Sequence, residues 1–349
     1  MNYHDFRLHF RTLRKELKSI KSFYLTAEQE TQLKQRNILI RFFKTTFLIL
    51  KALYFKLNPL RRILFIIALI SLLSFRSSFQ TGSVSFGLNM PFFGATLLII
   101  ILLLELKDKL LYKDEFQAAR LIQKALIPEE PPRIPGFDIY FYYQPMNEVG
   151  GDLIDHLHDG KNQHLLALAD ISGKGLSAAL LMSKLQGLLQ AFAFDTPFEK
   201  LLTTINQKFY RTVPKQSFAS LLLLQLHANK DHISIFNAGH LPPIHLHNGQ
   251  IIELNKGEMA IGLTADQTYW PFSLKLNPDD YLICYSDGLT EAFNEQGRLF
   301  GEEGLKNALQ KGEFLSARAL TESLLSELFQ FVADQPLSDD LSLIVLKKT

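Results

Sequence analysis

Four short acidic segments stand far apart in this sequence of 349 residues, and each joins an aspartate to glycine or to a second aspartate. They are Val-Gly-Gly-Asp at 149–152, Ala-Asp-Ile-Ser-Gly-Lys-Gly at 169–175, Ser-Asp-Gly at 286–288 and Ser-Asp-Asp at 338–340. Glycine beside a carboxylate lets a metal ion or a phosphate approach the backbone closely. Any one Asp-Gly pair alone is better explained as an ordinary turn, so a functional interpretation depends on all four segments together.

The donor types in these segments favour hard divalent cations. Carboxylates dominate, the chain has a single cysteine, Cys284, and no paired-histidine motif of the His-Glu-x-x-His type occurs. Oxygen ligands of this kind suit Mg²⁺ or Mn²⁺ better than zinc. Two such ions about 3.5–4 Å apart can share a hydroxide and orient it for attack on a phosphate ester. The four segments are therefore compatible with metal-dependent phosphate-ester hydrolysis.

Short apolar segments with turn residues between them predict the scaffold that positions these aspartates. The strands predicted by this pattern are 137–143, 164–171, 218–226, 232–236, 244–247, 251–254, 272–276, 281–285 and 341–346. Helical patterns cover 176–194, 198–211, 304–310 and 317–332. Because the strands come in runs and do not alternate singly with helices, the predicted fold class is α+β, with antiparallel sheets covered by helices.

The N-terminal third is basic and leads into a long uncharged stretch. Residues 1–62 carry 14 Lys and Arg against 4 Asp and Glu, which leaves 23 basic and 31 acidic residues in the rest of the chain. An apolar segment at 63–75 follows, and no charged residue lies between 77 and 104. Residues 84–104 alone are long enough for one membrane crossing. We therefore predict a transmembrane helical hairpin over 61–105, with a short external turn near 76–84, in preference to two buried core helices.

Basic residues on both sides of the hairpin predict its orientation. Those before it are Lys51, Lys56, Arg61 and Arg62, and those after it are Lys107, Lys109 and Lys113. Because Lys and Arg accumulate on the cytoplasmic side of membrane segments, both flanks are expected to be cytoplasmic. The basic arm at 1–60 would then lie against anionic lipid.

Residues 106–128 are predicted to form a linker helix between the membrane and the next domain. They contain long charged side chains, alanine and leucine, with no glycine and no proline before Pro128. Four prolines, at 128, 131, 132 and 135, end the helix and mark the start of a domain over 129–349. A rigid helix can transmit a rotation or shift, whereas a Gly/Ser linker could not.

The acidic segments and the sequence around them resemble the SpoIIE/RsbU branch of the PPM family of metal-dependent serine/threonine protein phosphatases. The resemblance covers about residues 115–346. Besides the acidic segments it includes Ala-Arg-Leu-Ile-Gln-Lys-Ala-Leu-Ile-Pro at 119–128, Tyr-Gln-Pro at 143–145, Asn-Ala-Gly-His-Leu-Pro-Pro at 237–243, Tyr-Ser-Asp-Gly-Leu-Thr-Glu-Ala at 285–292 and Phe-Gly at 300–301.

The resemblance implies a PPM-phosphatase-like sandwich of two antiparallel β-sheets flanked by helices, with two Mn²⁺ or Mg²⁺ ions in a cleft at one end. By position in the motifs, Asp170 is the expected ligand shared by both ions, with the backbone carbonyl of Ile171 beside it. Asp287 and Asp339 are expected to hold one ion. Asp152 is expected to act on the other side, directly or through water.

Four further residues attract a functional interpretation. Asp340 is a metal-ligand candidate but the weaker one of its pair, with a supporting position behind the ligands as the alternative. Lys174 is a candidate phosphate contact, against the alternative of a solvated loop lysine. His240 suits a structural turn better than a ligand or general acid, and Cys284 lies in an apolar run that suits a core position.

The function implied by the resemblance is a phosphatase of the cytoplasmic membrane that removes phosphate from Ser or Thr of a regulatory protein. Its catalytic domain would face the cytoplasm, and the most specific substrate candidate is an anti-sigma-factor antagonist. A homodimer through the linker helix is the implied active form. The alternative is a catalytically inactive module that relays a membrane signal by contact, although none of the expected carboxylates is missing. No nucleic-acid partner is expected, since the basic arm carries no recognised binding motif.

Overall fold

The computed structural model describes residue 33 and residues 37–74, 77–81, 84–228, 230–312 and 314–349. Much of the basic arm predicted over 1–60 therefore lies outside the described residues. The chain separates into two compact units, residues 1–112 and residues 113–349.

The described part of the N-terminal region from residue 37 onward contains three helices and a β-hairpin. Helix α1 spans Ile38–Lys56 and helix α2 spans Pro59–Leu73. Strands β1 (Ser77–Thr81) and β2 (Val84–Leu88) pair in antiparallel fashion. Helix α3 then runs from Met90 to Leu126, so the uncharged segment and the predicted linker belong to one continuous helix.

The hairpin corrects two expectations about the uncharged stretch. The predicted short turn near 76–84 is wrong, because residues 77–81 and 84–88 pair as strands. The second apolar segment, predicted from residue 84, becomes helical only at Met90. Pro91 lies in the first turn of α3, where its missing N–H and fixed φ favour a helix start. The charge-free composition gave no signal for this change from strand to helix.

Helices α2 and α3 pack against each other within the first unit. The guanidinium of Arg61 donates hydrogen bonds to Glu105 at 2.6 Å and to Asp108 at 2.7 Å. Further along the pair, a Cβ placed on Gly94 would lie 2.6 Å from the carbonyl oxygen of Ala68. Glycine at this crossing therefore lets the two helix backbones approach closely, as small residues do between membrane helices.

In the described part of the chain, α3 is the one helix both long enough and apolar enough to cross a membrane. Only 11% of its most apolar 18-residue window is buried. Helix α2 has 15 residues and rises about 22 Å, which is less than the roughly 30 Å of a hydrocarbon core. One of the two predicted spans thus has the required length as a helix.

The C-terminal unit is built from ten strands and five helices in its described residues. The strands are β3 (Phe137–Gln144), β4 (Leu153–His158), β5 (Gln163–Ile171), β6 (Ala219–His227), β7 (His232–Ala238), β8 (Ile244–His247), β9 (Gln250–Glu253), β10 (Phe272–Lys275), β11 (Tyr281–Tyr285) and β12 (Leu341–Lys348). The helices are α4 (Leu176–Phe192), α5 (Phe198–Thr212), α6 (Asp287–Thr290), α7 (Gly301–Gln310) and α8 (Ala317–Val332).

The ten strands form two five-stranded sheets in which every neighbouring pair is antiparallel. The first sheet has the order β10-β7-β6-β5-β4, and the second has the order β3-β12-β11-β8-β9. Helices α4 and α5 cover the first sheet, where Met182 and Leu185 pack with Ala167. Helices α7 and α8 cover the second sheet, where Leu324 packs with Leu343.

A third apolar layer lies between the two sheets. It includes Leu166 and Leu222 from the first sheet and Leu282, Cys284 and Ile344 from the second. Burial raises the pKa of the Cys284 thiol. Because both faces of each sheet are covered, strands such as β6 are apolar along most of their length rather than alternating.

The predicted α+β class with two antiparallel sheets is confirmed, and each predicted strand and helix of this unit is present within a few residues of its expected bounds. Strand β4 was missed, because its Asp155, His156 and His158 hid the apolar pattern of a short segment. Helix α7 begins at Gly301 and not at 304, and the short helix α6 was not expected.

Candidate metal centre

The ends of four strands bring the four acidic segments to one end of the sandwich. Asp152 directly precedes β4 and Asp170 lies at the end of β5, while Asp287 follows β11 and Asp339 precedes β12. The two pairs of strands, β4 with β5 and β11 with β12, are antiparallel neighbours. Because such strands begin and end at the same edge, each sheet presents two of the predicted aspartates together.

A contact between the two sheets joins these pairs of aspartates into one site. The backbone N–H of Gly151 donates to Oδ2 of Asp340 at 2.5 Å. A Cβ on Gly151 would lie 3.2 Å from the carbonyl oxygen of Ile171 and 3.7 Å from Oδ1 of Asp170. The glycine thus leaves room beside the two oxygen atoms that the resemblance implies as neighbouring ligands.

The carboxylates at this end repel one another. Burial, followed by the charges of Asp287, Asp339 and Asp340, raises the pKa of Asp170 to about 7. Burial and the charge of Asp339 raise the pKa of Asp287 to about 6. A divalent cation relieves this kind of repulsion, so the electrostatics of the cleft match the predicted metal-binding role.

Asp152 is the most deeply buried of the four predicted ligands. Its side chain is held by the hydroxyl of Ser342, which donates to Oδ2 at 2.5 Å. Burial and then the charge of Asp170 raise the pKa of Asp152 well above its ordinary value. Ser342 lies on β12, 190 positions further along the chain, so sequence reasoning had no local signal for this partner.

Asp340 holds the loop that carries Asp152. Its Oδ1 accepts the N–H of Met146 at 2.7 Å, and its Oδ2 accepts the N–H of Gly151 at 2.5 Å and that of Asp152 at 3.4 Å. Both oxygens are therefore engaged with backbone amides. This arrangement favours the supporting position over direct ligation for Asp340.

Lys174 lies against another predicted ligand. Its ammonium group is 2.9 Å from Oδ2 of Asp339, and the lysine side chain is 62% exposed. The lysine therefore places a positive charge at the mouth of the acidic site. Its position is compatible with the predicted contact to an entering phosphate.

A cleft of about 490 Å³ opens beside Asp170 and Asp287. Its lining includes Ser220, His240 and Glu291, which extend the site beyond the predicted aspartates. The Nδ1 atom of His240 is 2.8 Å from the Ser220 hydroxyl. Burial lowers the pKa of His240 to about 4, so this imidazole is neutral at physiological pH.

His240 also belongs to a fixed turn. Its backbone N–H donates to Oδ1 of Asn237 at 2.8 Å, and the Asn237 amide donates back to the carbonyl of His240 at 3.1 Å. These contacts fit the structural interpretation of the Asn-Ala-Gly-His segment. The turn places His240 at the wall of the cleft.

Gln123 of α3 connects the end of the linker helix to the metal-site loop. Its amide nitrogen donates to the carbonyl of Gly150 at 2.7 Å, and its amide oxygen accepts the N–H of Gly150 at 2.9 Å. Gln123 is buried, and Gly150 lies two positions before Asp152. In the sequence, Gln123 belongs to the segment at 119–128 that resembles the family, but no role was predicted for it.

The donor types of the acidic cleft suit hard divalent cations. In the described residues, the one group of three His, Cys, Asp or Glu side chains with donor atoms within 4.8 Å of one another lies elsewhere, at His245, His247 and Asp280. Oxygen donors, their mutual repulsion and the open space beside Gly151 suit Mg²⁺ or Mn²⁺.

The fold is that of PP2C-type phosphatase domains. The SiaA-PP2C domain of Pseudomonas aeruginosa matches 69% of this chain and 98% of that domain, with a TM-score of 0.57 and 19% identity. A structure of the PP2C phosphatase domain and a fragment of the regulatory domain of SpoIIE from Bacillus subtilis matches 62% of this chain and 64% of that one, with a TM-score of 0.54 and 17% identity.

The particular family follows from the sequence. A family model described as Stage II sporulation protein E (SpoIIE) matches residues 160–349. This range is more than half of the chain, and the chain belongs to this family.

Two curated relatives extend the similarity toward the N-terminus. Phosphoserine phosphatase RsbU of Bacillus subtilis (strain 168) is 26% identical over 244 residues, which cover 68% of this chain and 70% of RsbU. Protein IcfG of Synechocystis is 24% identical over 262 residues, which cover 66% of this chain and 41% of IcfG. The chain thus spans less than half the length of IcfG. Family, relatives and fold together identify a protein serine/threonine phosphatase of the SpoIIE type.

We expect Asp340→Ala to destabilise the catalytic unit, because the amides of Met146, Gly151 and Asp152 lose their acceptor. Each buried donor left unpaired costs about 1–3 kcal/mol. Guanidinium unfolding of a fragment of residues 113–349 measures the change. Asp334→Ala, at an exposed position, is the control and should stay within about 0.5 kcal/mol of the wild type. Equal stability of Asp340→Ala and wild type would contradict the supporting role.

Proposed function

We propose that this chain is a membrane-anchored, metal-dependent phosphatase that removes phosphate from Ser or Thr of a regulatory phosphoprotein. The observation that carries the proposal is the convergence of Asp152, Asp170, Asp287 and Asp339 from two sheets on one end of the sandwich. Because these carboxylates repel one another, they favour the binding of positive charge between them. The adjacent cleft is large enough for a phosphorylated side chain. The most specific substrate candidate remains an anti-sigma-factor antagonist.

Each carboxylate has a distinct part in this proposal. Asp170, with the carbonyl of Ile171 beside it, would bind both ions, while Asp287 and Asp339 would hold one of them and Asp152 would act on the other side. When bound, the two ions supply an activated water and neutralise the charge of the phosphate ester. The protein itself holds the ligands in place.

Residues around the ligands contribute orientation and charge. Asp340 fixes the loop before β4 through the amides of Met146 and Gly151, and Ser342 fixes the carboxylate of Asp152. Lys174 lies at the mouth of the site, where its ammonium can pair with a phosphate oxygen. The retention of every predicted carboxylate favours this active enzyme over an inactive relay module.

We expect Asp170→Asn to lower phosphatase activity by several orders of magnitude, because it removes the carboxylate shared by both ions. Hydrolysis of a phosphoester dye by the purified protein with Mn²⁺ measures this effect. Asp287→Asn and Asp339→Asn should also lose activity, with partial recovery in excess Mn²⁺, since each affects one ion. Asp195→Asn, at an exposed position, should retain full activity.

An Asp170→Asn variant with wild-type activity at equal concentration of folded protein would contradict the two-metal assignment. Absence of activity in the wild type with every metal tested would instead support the inactive relay module.

The proposed anchor is a two-helix, multi-pass hairpin in the cytoplasmic membrane. The apolar and little-buried part of α3, the close crossing at Gly94 and the basic residues on both flanks support it. Helix α2 is shorter than a typical hydrocarbon core, so its crossing requires local thinning of the bilayer or an extension into neighbouring residues. Both termini and the catalytic unit would then face the cytoplasm.

Reporter fusions test this topology. We expect fusions at residues 56 and 115 to report a cytoplasmic location, because basic residues surround both positions. A tag inserted near Gly82, which lies outside the described residues, should be accessible from the other side. An external signal from the fusion at 115 would contradict both the orientation and a cytoplasmic substrate.

The linker helix is the proposed control element of the enzyme. The Gln123 side chain hydrogen-bonds to both the N–H and the carbonyl of Gly150. A rotation or shift of α3 would therefore move the loop that carries Asp152. Such a movement would bias an equilibrium between competent and incompetent clefts. Leu121 and Ile122, 70% and 67% exposed, offer apolar side chains for the proposed homodimer through this helix.

We expect Gln123→Met to raise the Mn²⁺ concentration needed for half-maximal activity of the full-length protein by about 10-fold or more, the usual scale for residues behind metal ligands. Methionine retains the size of the side chain but loses both hydrogen bonds to Gly150. Gln117→Met on the exposed side of the same helix is the matched control and should leave the Mn²⁺ requirement unchanged.

A second variant, with two glycines inserted near Asp114, separates control from tethering. It should uncouple activity from the membrane segment while the isolated catalytic unit keeps its metal affinity. Equal activity of the wild type, the insertion and the isolated unit would show that the helix is a tether only.

A further inference from the structure

A second group of potential metal ligands lies outside the acidic cleft. The Nε2 atom of His245 is 2.9 Å from Oδ2 of Asp280, and the Nδ1 atom of His247 is 2.6 Å from Oδ1 of the same carboxylate. The donor atoms of the three residues all lie within 4.8 Å of one another. Two imidazole nitrogens and one carboxylate thus meet at one point.

The secondary structure explains why these side chains meet. His245 and His247 alternate on β8, so they point to the same face of the sheet. His245 is the register partner of Leu282 on β11, and Asp280 lies two positions before Leu282 on that face. The group therefore joins β8 to the segment that leads into β11.

This group is remote from the acidic cleft along β11. Asp280 precedes the strand and Asp287 follows it, and the five strand residues rise about 16 Å at 3.3 Å per residue. The two sites therefore lie at opposite ends of the same strand, and they share no ligand. The chemistry of the donors also differs, since imidazole is absent from the four predicted ligands of the cleft.

Supporting hydrogen bonds orient the group from behind. The backbone N–H of Asn277 donates to Oδ2 of Asp280 at 2.8 Å. The side-chain amide nitrogen of Asn248 lies 3.1 Å from Nε2 of His247, the ring nitrogen that does not face Asp280, and donates to it in the metal-free group. In the metal-bound ring Nε2 carries the proton, and a half-turn of the Asn248 amide would present its oxygen as the acceptor that metal-binding histidines characteristically use.

Burial and access are divided among the three residues. The side chains of Asp280 and His245 are 2% and 9% exposed, whereas that of His247 is 31% exposed. The exposed histidine leaves a route for an ion and room for a water ligand. By contrast, the His232–Asp231 pair has comparable chemistry but is exposed on both sides and has only one histidine.

We propose that His245, His247 and Asp280 form a binding site for a borderline divalent cation of the Zn²⁺ class, with a water as the fourth ligand. Two histidines and one carboxylate are a donor set that zinc accepts in tetrahedral geometry. The ion replaces the two N–H···O hydrogen bonds of the metal-free group, and the rings then carry their protons on the nitrogens that face away from it. Its role is to clamp β8 to the start of β11, independently of the phosphatase reaction.

Zinc content of the full-length protein, purified in detergent, tests this site. The protein is stripped with a chelator and dialysed against Zn²⁺ in a large excess of Mg²⁺, and bound zinc is measured by mass spectrometry. We expect one zinc per chain in the wild type, with at least about 10-fold weaker binding in His247→Gln and in Asp280→Asn. Co²⁺ substitution should give the visible absorption of a tetrahedral site in the wild type and not in these variants.

Two matched controls locate the ion. His232→Gln should retain the zinc, because the exposed pair has too few ligands, and Asp170→Asn should retain it because the acidic cleft is a separate site. In chelator, the melting temperatures of the wild type and His247→Gln should be similar. Added Zn²⁺ should raise the melting temperature of the wild type but not that of His247→Gln. Equal zinc content of the wild type, His247→Gln and Asp280→Asn, or loss of zinc in Asp170→Asn alone, would overturn the proposal.

Discussion

The main constraint on this structure is that carboxylates which repel one another must be held close together at one end of a β-sandwich. Burial and neighbouring negative charge raise the pKa values of Asp152, Asp170 and Asp287. When ionised, these groups therefore destabilise the folded state of the metal-free protein. The apolar layers on both faces of each sheet supply the rigidity that keeps these groups close despite the repulsion. In the proposed function, bound divalent cations would relieve this repulsion.

The hydrogen bonds around the acidic cleft help to hold these carboxylates in place despite their repulsion. Both carboxylate oxygens of Asp340 accept hydrogen bonds from backbone amides. This carboxylate therefore stabilises the loop before β4. Ser342 neutralises part of the cost of burying Asp152 by donating a hydrogen bond. The hydrogen bonds of Gln123 to Gly150 connect the C-terminal end of α3 to the same loop.

The sequence predicted much of this unit, because its informative features are local. Asp170 and Asp287 stand in short segments rich in glycine and serine, and buried strands such as β6 and β12 are recognisable from their apolar runs. The hydrogen-bond partners of the predicted ligands could not be found in this way, since Ser342 and Asp152 meet across 190 positions. The strands at 77–88 were missed because an uncharged composition fits a membrane helix and a hairpin equally well.

Cys284 has a practical consequence for studying the movement of this enzyme. It is the only cysteine of the chain, it is buried between the two sheets, and burial raises the pKa of its thiol. A thiol in such a place reacts slowly with alkylating reagents. A cysteine introduced at an exposed position can therefore receive a fluorophore or a spin label selectively, with the native residue left in place.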